Sequence, residues 1–169
     1  MVYTIEIYVD GGCRGNGQPG SIGAAAAAVK TRAGTLLGWK EALPSYPTPT
    51  NQRAEITAII LGLEKAREDI INSEPIPYAV KCMNEWVYKW VNNGWTNAKG
   101  SEVANRDVIE RAMDLEDELK DSGDVRYQWI PRAQNQFADQ LCNECMDEMV
   151  DDDDDDDRRY YYSSSDDDW

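Results

Sequence analysis

The chain has 169 residues, 41% of them apolar, with six tryptophans, four cysteines and no histidine. That length suits one ordinary domain and a tail; no apolar run is long enough to span a bilayer, the N-terminus lacks the basic-then-apolar pattern of a signal peptide, and any chemistry that needs an imidazole is excluded. Of the formal net charge of −15, residues 151–169 carry −8 (ten aspartates against two arginines) and the body −7, which argues against indiscriminate nucleic-acid binding but not against an enzyme that gathers carboxylates around metal.

Tyr3 to Asp10 alternates Tyr3, Ile5, Ile7 and Val9 with Thr4, Glu6 and Tyr8, the pattern of a strand with one more polar face. A glycine-rich turn is expected over residues 11–17. The alanine-rich segment from Ile22 to Lys30 reads as a second strand pressed closely against something, and Thr35 to Glu41 as a third, so the first three strands form a meander. Pro44, Pro47 and Pro49 mark an irregular link, after which Thr50 or Asn51 can cap a helix with Ile56, Ile59, Ile60 and Leu63 along its buried stripe.

Residues 68–78 leave room for one short strand at most, because Pro75 and Pro77 lack a backbone donor. A helical pattern resumes from Ala79 through Met83, Trp86, Val87 and Trp90, and stops near Asn93-Gly94. Ser101 to Leu119 reads as a further helix, Val125 to Ile130 as a strand ended by Pro131, and Asn135 to Met149 as the last helix. Residues 150–169 repeat single residue types at high charge, so the composition predicts a disordered acidic tail behind a domain of residues 1–149. The whole order indicates an α/β fold, a mixed sheet covered by helices.

Asp10 closes an apolar strand, and Asp139 interrupts an apolar stretch inside a helix. Either acid alone reads as a cap or a partly solvated group. Acids brought together need a cation to offset their repulsion. Hard oxygen ligands select magnesium or manganese, and two such ions can hydrolyse a phosphodiester. Cys142 and Cys145 have the C-x-x-C spacing, but a zinc site needs two more ligands, and this pair lies well inside a helix. The four cysteines are too few for a disulfide scaffold and fit a reducing, intracellular compartment. The glycines at 11–17 lack the Lys-Ser or Lys-Thr of a nucleotide-binding loop.

The sequence resembles the type 1 ribonuclease H family, which cuts the RNA strand of RNA–DNA hybrids. Four motifs carry the resemblance in order: Tyr8-Val9-Asp10-Gly11-Gly12-Cys13-Arg14-Gly15-Asn16-Gly17, Thr50-Asn51-Gln52-Arg53-Ala54-Glu55, the region of Trp86, Trp90 and Asn93-Gly94-Trp95, and Asn135-Gln136-Phe137-Ala138-Asp139. The resemblance implies a five-stranded mixed sheet in the order 3-2-1-4-5 flanked by helices. Asp10, Glu55 and Asp139 would be the catalytic, metal-holding acids, and the cofactor two Mg2+ ions, with Mn2+ an alternative. Gly11, Gly12 and Asn16 would form the turn that follows the RNA strand, with Asn51 and Gln52 close to the hybrid. A monomer in the nucleus or cytoplasm, with no membrane partner, is expected.

The chain departs from the family pattern at the fourth strand, which ends in a Thr-Asp-Ser-like triplet bearing the third of four catalytic acids. Counting back from Trp86 puts that aspartate's slot at Pro75; counting forward from Glu55 puts it near Ala79. Neither finds an aspartate, so strand 4 is expected to be degraded or absent, Glu74 or Asp69 being the nearest substitutes. The loop before the last helix is Pro131-Arg132-Ala133-Gln134-Asn135, where many members carry a histidine; branches with a Pro-Arg-x-x-Asn form exist. Two readings stand: an endoribonuclease on hybrids, impaired in this chain, and an inactive hybrid-binding or scaffold protein on the same fold.

Overall fold

The structure is a computed structural model that describes residues 3–31, 33–72, 78–80, 100–128 and 130–162. Strand β1 (Tyr3–Thr4) and strand β2 (Glu6–Arg14) are separated only by Ile5 and follow one another along the chain. β2 pairs antiparallel with β3 (Ile22–Lys30), and β3 pairs antiparallel with β4 (Leu36–Ala42). β1 pairs parallel with β5 (Tyr78–Val80), and β5 pairs parallel with β6 (Gly123–Val125). With β1 and β2 taken as one strand, the order β4-β3-β2/β1-β5-β6 is the expected 3-2-1-4-5. Strand 4 is therefore present, described over Tyr78–Val80.

Helix α1 (Asn51–Asn72) starts where the sequence places it, because Thr50 Oγ1 accepts the N–H of Arg53 at 3.1 Å and so caps the first turn. Helix α2 (Arg106–Lys120) begins five residues later than the apolar spacing suggests. Asn105 adopts φ 63°, a left-handed conformation that cannot lie inside a helix, and Val103 is buried from the preceding loop instead. A 3-10 turn (Arg132–Gln134) leads into helix α3 (Gln136–Tyr162). The backbone of α3 thus stays helical to Tyr162, past the point where composition predicts disorder; a helix already nucleated on a packed segment extends at little cost per residue.

Further expectations shift for identifiable reasons. Ala79 and Val80 lie in β5 rather than at a helix start. The strand expected over 125–130 is Gly123–Val125, where Tyr78, Ala79 and Val80 pair with Gly123, Asp124 and Val125. Gly11 and Gly12 belong to β2, in register with Ala25 and Ala24, so the turn begins beyond Arg14. The expected helix of Met83, Trp86 and Trp90, the Trp95 region and Glu74 lie outside the described residues.

Alternation along β3 explains its alanines. Ala25 and Val29 face α1, whereas Ala24 and Ala26 face α3, and all of Ala24 to Ala28 are fully buried. A methyl on each face lets two helices approach one strand. On the α1 side the core gathers Ile7, Val29, Ile59, Leu63, Leu115 and Leu119. On the other side Cys142, Cys145 and Met146 pack on Ala24 and Ala26, and Cys142 donates to the Ala24 carbonyl at 3.3 Å. Burial, then the nearby Asp10 carboxylate, pushes the Cys142 thiol up to about 11. Both C-x-x-C thiols are free, packed groups.

Candidate active site

Asp10 lies in mid-strand on β2. Ile7 and Val9 point to α1, so the period of two turns Tyr8, Asp10 and Gly12 to the α3 face. Asp139 stands in the first turn of α3, on that same face. Glu55 comes from the first turn and a half of α1, on the opposite side, and is exposed. Its approach depends on Gly11, where a Cβ would lie 2.2 Å from the Ala54 carbonyl carbon. A glycine there lets the α1 backbone touch the strand one residue beyond Asp10. Gly12 serves the other face, where a Cβ would meet Met146 Cε at 3.2 Å. Both glycines are thus needed for close packing of helices rather than for a turn.

Asp10 senses the other two acids. The Asp10 carboxyl is raised to about 6, first by burial, then by Asp139 and, less, by Glu55; the Arg132 guanidinium opposes the rise. Arg132, on the 3-10 turn, pairs with Asp139 at 2.5 Å. The acids bring hard oxygens suited in kind to a divalent cation. Among the described residues, however, no group of three potential ligands stands close enough to hold one. The strand geometry accounts for this: Asp10 and Asp139 share one face, and Glu55 must reach around the edge of β2 from the other.

That edge is bonded by side chains. Cys13 N–H donates to Asn51 Oδ1 at 2.9 Å, and Asn51 N–H donates to Asn16 Oδ1 at 2.9 Å. Asn135 Nδ2 donates to the Val9 carbonyl at 2.8 Å. Asn105 Nδ2 donates to Gln52 Oε1 at 3.4 Å. Arg53, buried, holds Asp107 through both guanidinium nitrogens, at 3.0 and 2.5 Å, and so fixes the start of α2 against α1. Hydrogen bonding to Arg53 is the main reason that Asp107 sits below the usual carboxylate range.

The structure therefore brings together Asp10, Asp139 and, at the rim, Glu55, with Asn16, Asn51 and Gln52 beside them. Sequence reading missed Arg53, Asn105, Asp107 and the pairing of Arg132. One of these left a signal: Arg53 precedes Ile56, Ile60 and Leu63 at helical spacing, a cation on an apolar stripe.

The ribonuclease H family model matches residues 3–150. Ribonuclease H of Pelobacter propionicus is 34% identical over 157 residues, 86% of each chain. The N-terminal RNase H domain of rv2228c from Mycobacterium tuberculosis is 28% identical, with a TM-score of 0.60 over 88% of this chain and 97% of that one. LC11-RNase H1, solved in complex with an RNA/DNA hybrid, shares the fold at 24% identity, with a TM-score of 0.63 over 86% of this chain and 99% of that one. With the family model matching residues 3–150 and a relative 34% identical over 86% of each chain, the chain belongs to the ribonuclease H family.

Proposed function

We propose that this chain hydrolyses the RNA strand of RNA–DNA hybrids endonucleolytically, with magnesium held by Asp10, Asp139 and Glu55, and that its turnover is impaired. The observation that carries the reading is the raised Asp10 carboxyl, half-buried on a strand between two acids from separate helices. Such a group binds a divalent cation in exchange for its proton. When bound, paired ions activate water and stabilise the leaving oxygen. The ribonuclease H relatives and the hybrid-bound LC11-RNase H1 support the substrate.

The residues of this chain have separate tasks. Asn16, Asn51 and Gln52 are exposed, and their side-chain oxygens already accept bonds inside the protein. Their amide N–H groups are the parts that face outward chemistry, and donors suit the 2′-hydroxyls and phosphates of an RNA strand. Asp10 and Asp139 are half-buried carboxylates on the α3 side of the sheet.

Impairment is read from the sequence around β5, where neither the slot at Pro75 nor the one near Ala79 holds an aspartate. The β5 register sets Tyr78 beside Tyr3 and Ala79 beside Thr4, and Tyr78-Ala79-Val80 contains no acid. One ligand fewer leaves less negative charge to retain a second ion. The test is cleavage of an end-labelled RNA–DNA hybrid, with magnesium and then manganese. Internal cuts confined to RNA, slow in magnesium and faster in manganese, are expected. Turnover near one per second in magnesium would overturn the impairment. A second reading, a hybrid-binding protein without catalysis, is favoured by the Arg132–Asp139 pair, in which a guanidinium already neutralises one acid. Hybrid binding with no cut in either metal would establish it.

A further inference from the structure

The two helices that supply acids to Asp10 open with near-identical pentads, Asn51-Gln52-Arg53-Ala54-Glu55 and Asn135-Gln136-Phe137-Ala138-Asp139. In each, the asparagine lies at or just before the first helical residue, and the acid follows four residues later, one turn on along the same side. The alanine between them is fully buried in both cases.

The two asparagines do parallel work on β2. Val9 and Cys13 are four residues apart, so their main-chain groups project from the same edge of the strand. Asn135 donates to the Val9 carbonyl at 2.8 Å, and Asn51 accepts the Cys13 N–H at 2.9 Å. β3 occupies the other edge of β2. The asparagines thus bond the edge of the strand that holds Asp10, one on each side of it. The 3-10 turn also ends at Asn135, whose N–H donates to the Arg132 carbonyl at 2.9 Å, while its own carbonyl accepts the Asp139 N–H at 3.0 Å. The Asn135 Oδ1 is buried with no donor among the described residues. Its amide nitrogen, not its oxygen, is therefore the reason for an asparagine at this position.

We propose that Asn135 and Asn51 are paired positioning residues, each pinning the helix that bears an acid to the edge of β2 beside Asp10, and that Asn135 sets the separation of Asp10 from Asp139 and Arg132. Neither role needs contact with substrate. The assignment to metal geometry rests on the function proposed above; the clamp itself does not.

The test uses the full-length protein and Asn135→Leu, which keeps the branched shape and removes the donor. In metal-free buffer, the NMR signals of the Asn135 side-chain amide in the unaltered protein should be protected from solvent exchange. The Asp10 and Asp139 carboxyl carbon shifts should move in Asn135→Leu, and the Glu55 shift should stay. In a calorimetric titration with magnesium alone, the variant should bind at least tenfold more weakly, with KM for a hybrid within about twofold of the parent. Asp10 and Asp139 shifts unchanged in a folded variant, or magnesium affinity within twofold of a parent that does bind, would overturn the proposal. If the parent takes up no magnesium, the metal reading fails and the carboxyl shifts alone decide the clamp. If Asn135→Leu does not fold, exchange in the unaltered protein decides: an Asn135 amide as labile as a solvent-exposed asparagine overturns the clamp, and a protected one supports it.

Discussion

In the antiparallel half of the sheet, β2, β3 and β4 run nine, nine and seven residues, with α1 packed on one face and α3 on the other. In the parallel half, β5 is described over Tyr78–Val80, paired with β1 at Tyr3–Thr4 and with β6 at Gly123–Val125. The long half carries Asp10 and receives both helices that bear the other matched acids. The family's remaining acid would come from the parallel half. Family likeness and catalytic completeness thus lie in different parts of one sheet, so a chain can keep the first while losing part of the second. Adjacent long antiparallel strands also need only local pairing, whereas β1 must find β5 more than seventy residues on, which makes the parallel half the costlier to close.

The largest effect expected is on chemistry in the long half. Asp10→Asn removes the acid around which the site is arranged, so hybrid cleavage in manganese should fall by about 10³-fold or more, with the circular-dichroism spectrum unchanged. Near-native cleavage by this variant would remove Asp10 from the mechanism and with it the claim that the long half holds the catalytic centre.

Stability should divide along the same line. Leu63 is fully buried between β2, β3 and α2, so Leu63→Ala should cost about 3 kcal/mol. Val125 on β6 only borders that core, so Val125→Ala should cost about 1 kcal/mol. Urea denaturation measures both. Equal losses would mean that the parallel half contributes as much to the core as the antiparallel half.

The same contrast shows what the sequence could reveal. The meander, the Thr50 cap, the α1 stripe, the last helix and the placing of Asp10 on the first strand and Asp139 on the last helix were legible because each rests on a local pattern: alternation, a capping residue or a motif. The start of α2 was not, since it depends on a left-handed Asn105 that the apolar spacing hides. The position of β6 was not, since it pairs with a strand more than forty residues away. The purpose of Gly11 was misread as turn-making, because the pressure that requires glycine comes from Ala54 on another element. Local signals survive in sequence; demands made across the fold do not.

A smaller effect tests the electrostatics of the long half. The Asp10 carboxyl is raised from its ordinary value to about 6, mainly by burial. For an acid shifted upward, the stability linked to its protonated form is complete at low pH and is lost as pH rises through the folded value. Without metal, the protein should therefore lose about 1–2 kcal/mol from this group between pH 4 and pH 7, after allowance for partial solvent screening. Asp10→Asn should be more stable than the parent at pH 7 and indistinguishable at pH 4. Thermal melts at both values check the sign, and a variant equally stable at both would show that Asp10 titrates as an ordinary surface acid. Magnesium affinity of the parent should fall below pH 6, because binding must then displace the proton.

The smallest structural effect is expected at the end of α3. Its packed portion is fixed by Cys142, Cys145 and Met146, and by the pairs Arg14–Asp147 at 2.7 Å and Lys40–Glu148 at 2.6 Å, all before residue 150. We propose that the domain proper ends near residue 149 and that the helical backbone beyond it adds little to folding. Seven consecutive aspartates repel one another at helical spacing, so the extension is held by its connection to a packed helix rather than by its own preference. Deleting residues 151–169 should shift Tm by less than about 1 °C. The deletion also removes eight net negative charges from a protein that must approach a polyanion. Hybrid affinity should therefore rise a few-fold at low salt, and the gain should fade at high salt, where exposed charges are screened. A gain that persists at high salt would mean that the tail blocks the site by contact instead of by charge, and a Tm drop of several degrees would mean that the helix beyond residue 150 packs against the domain.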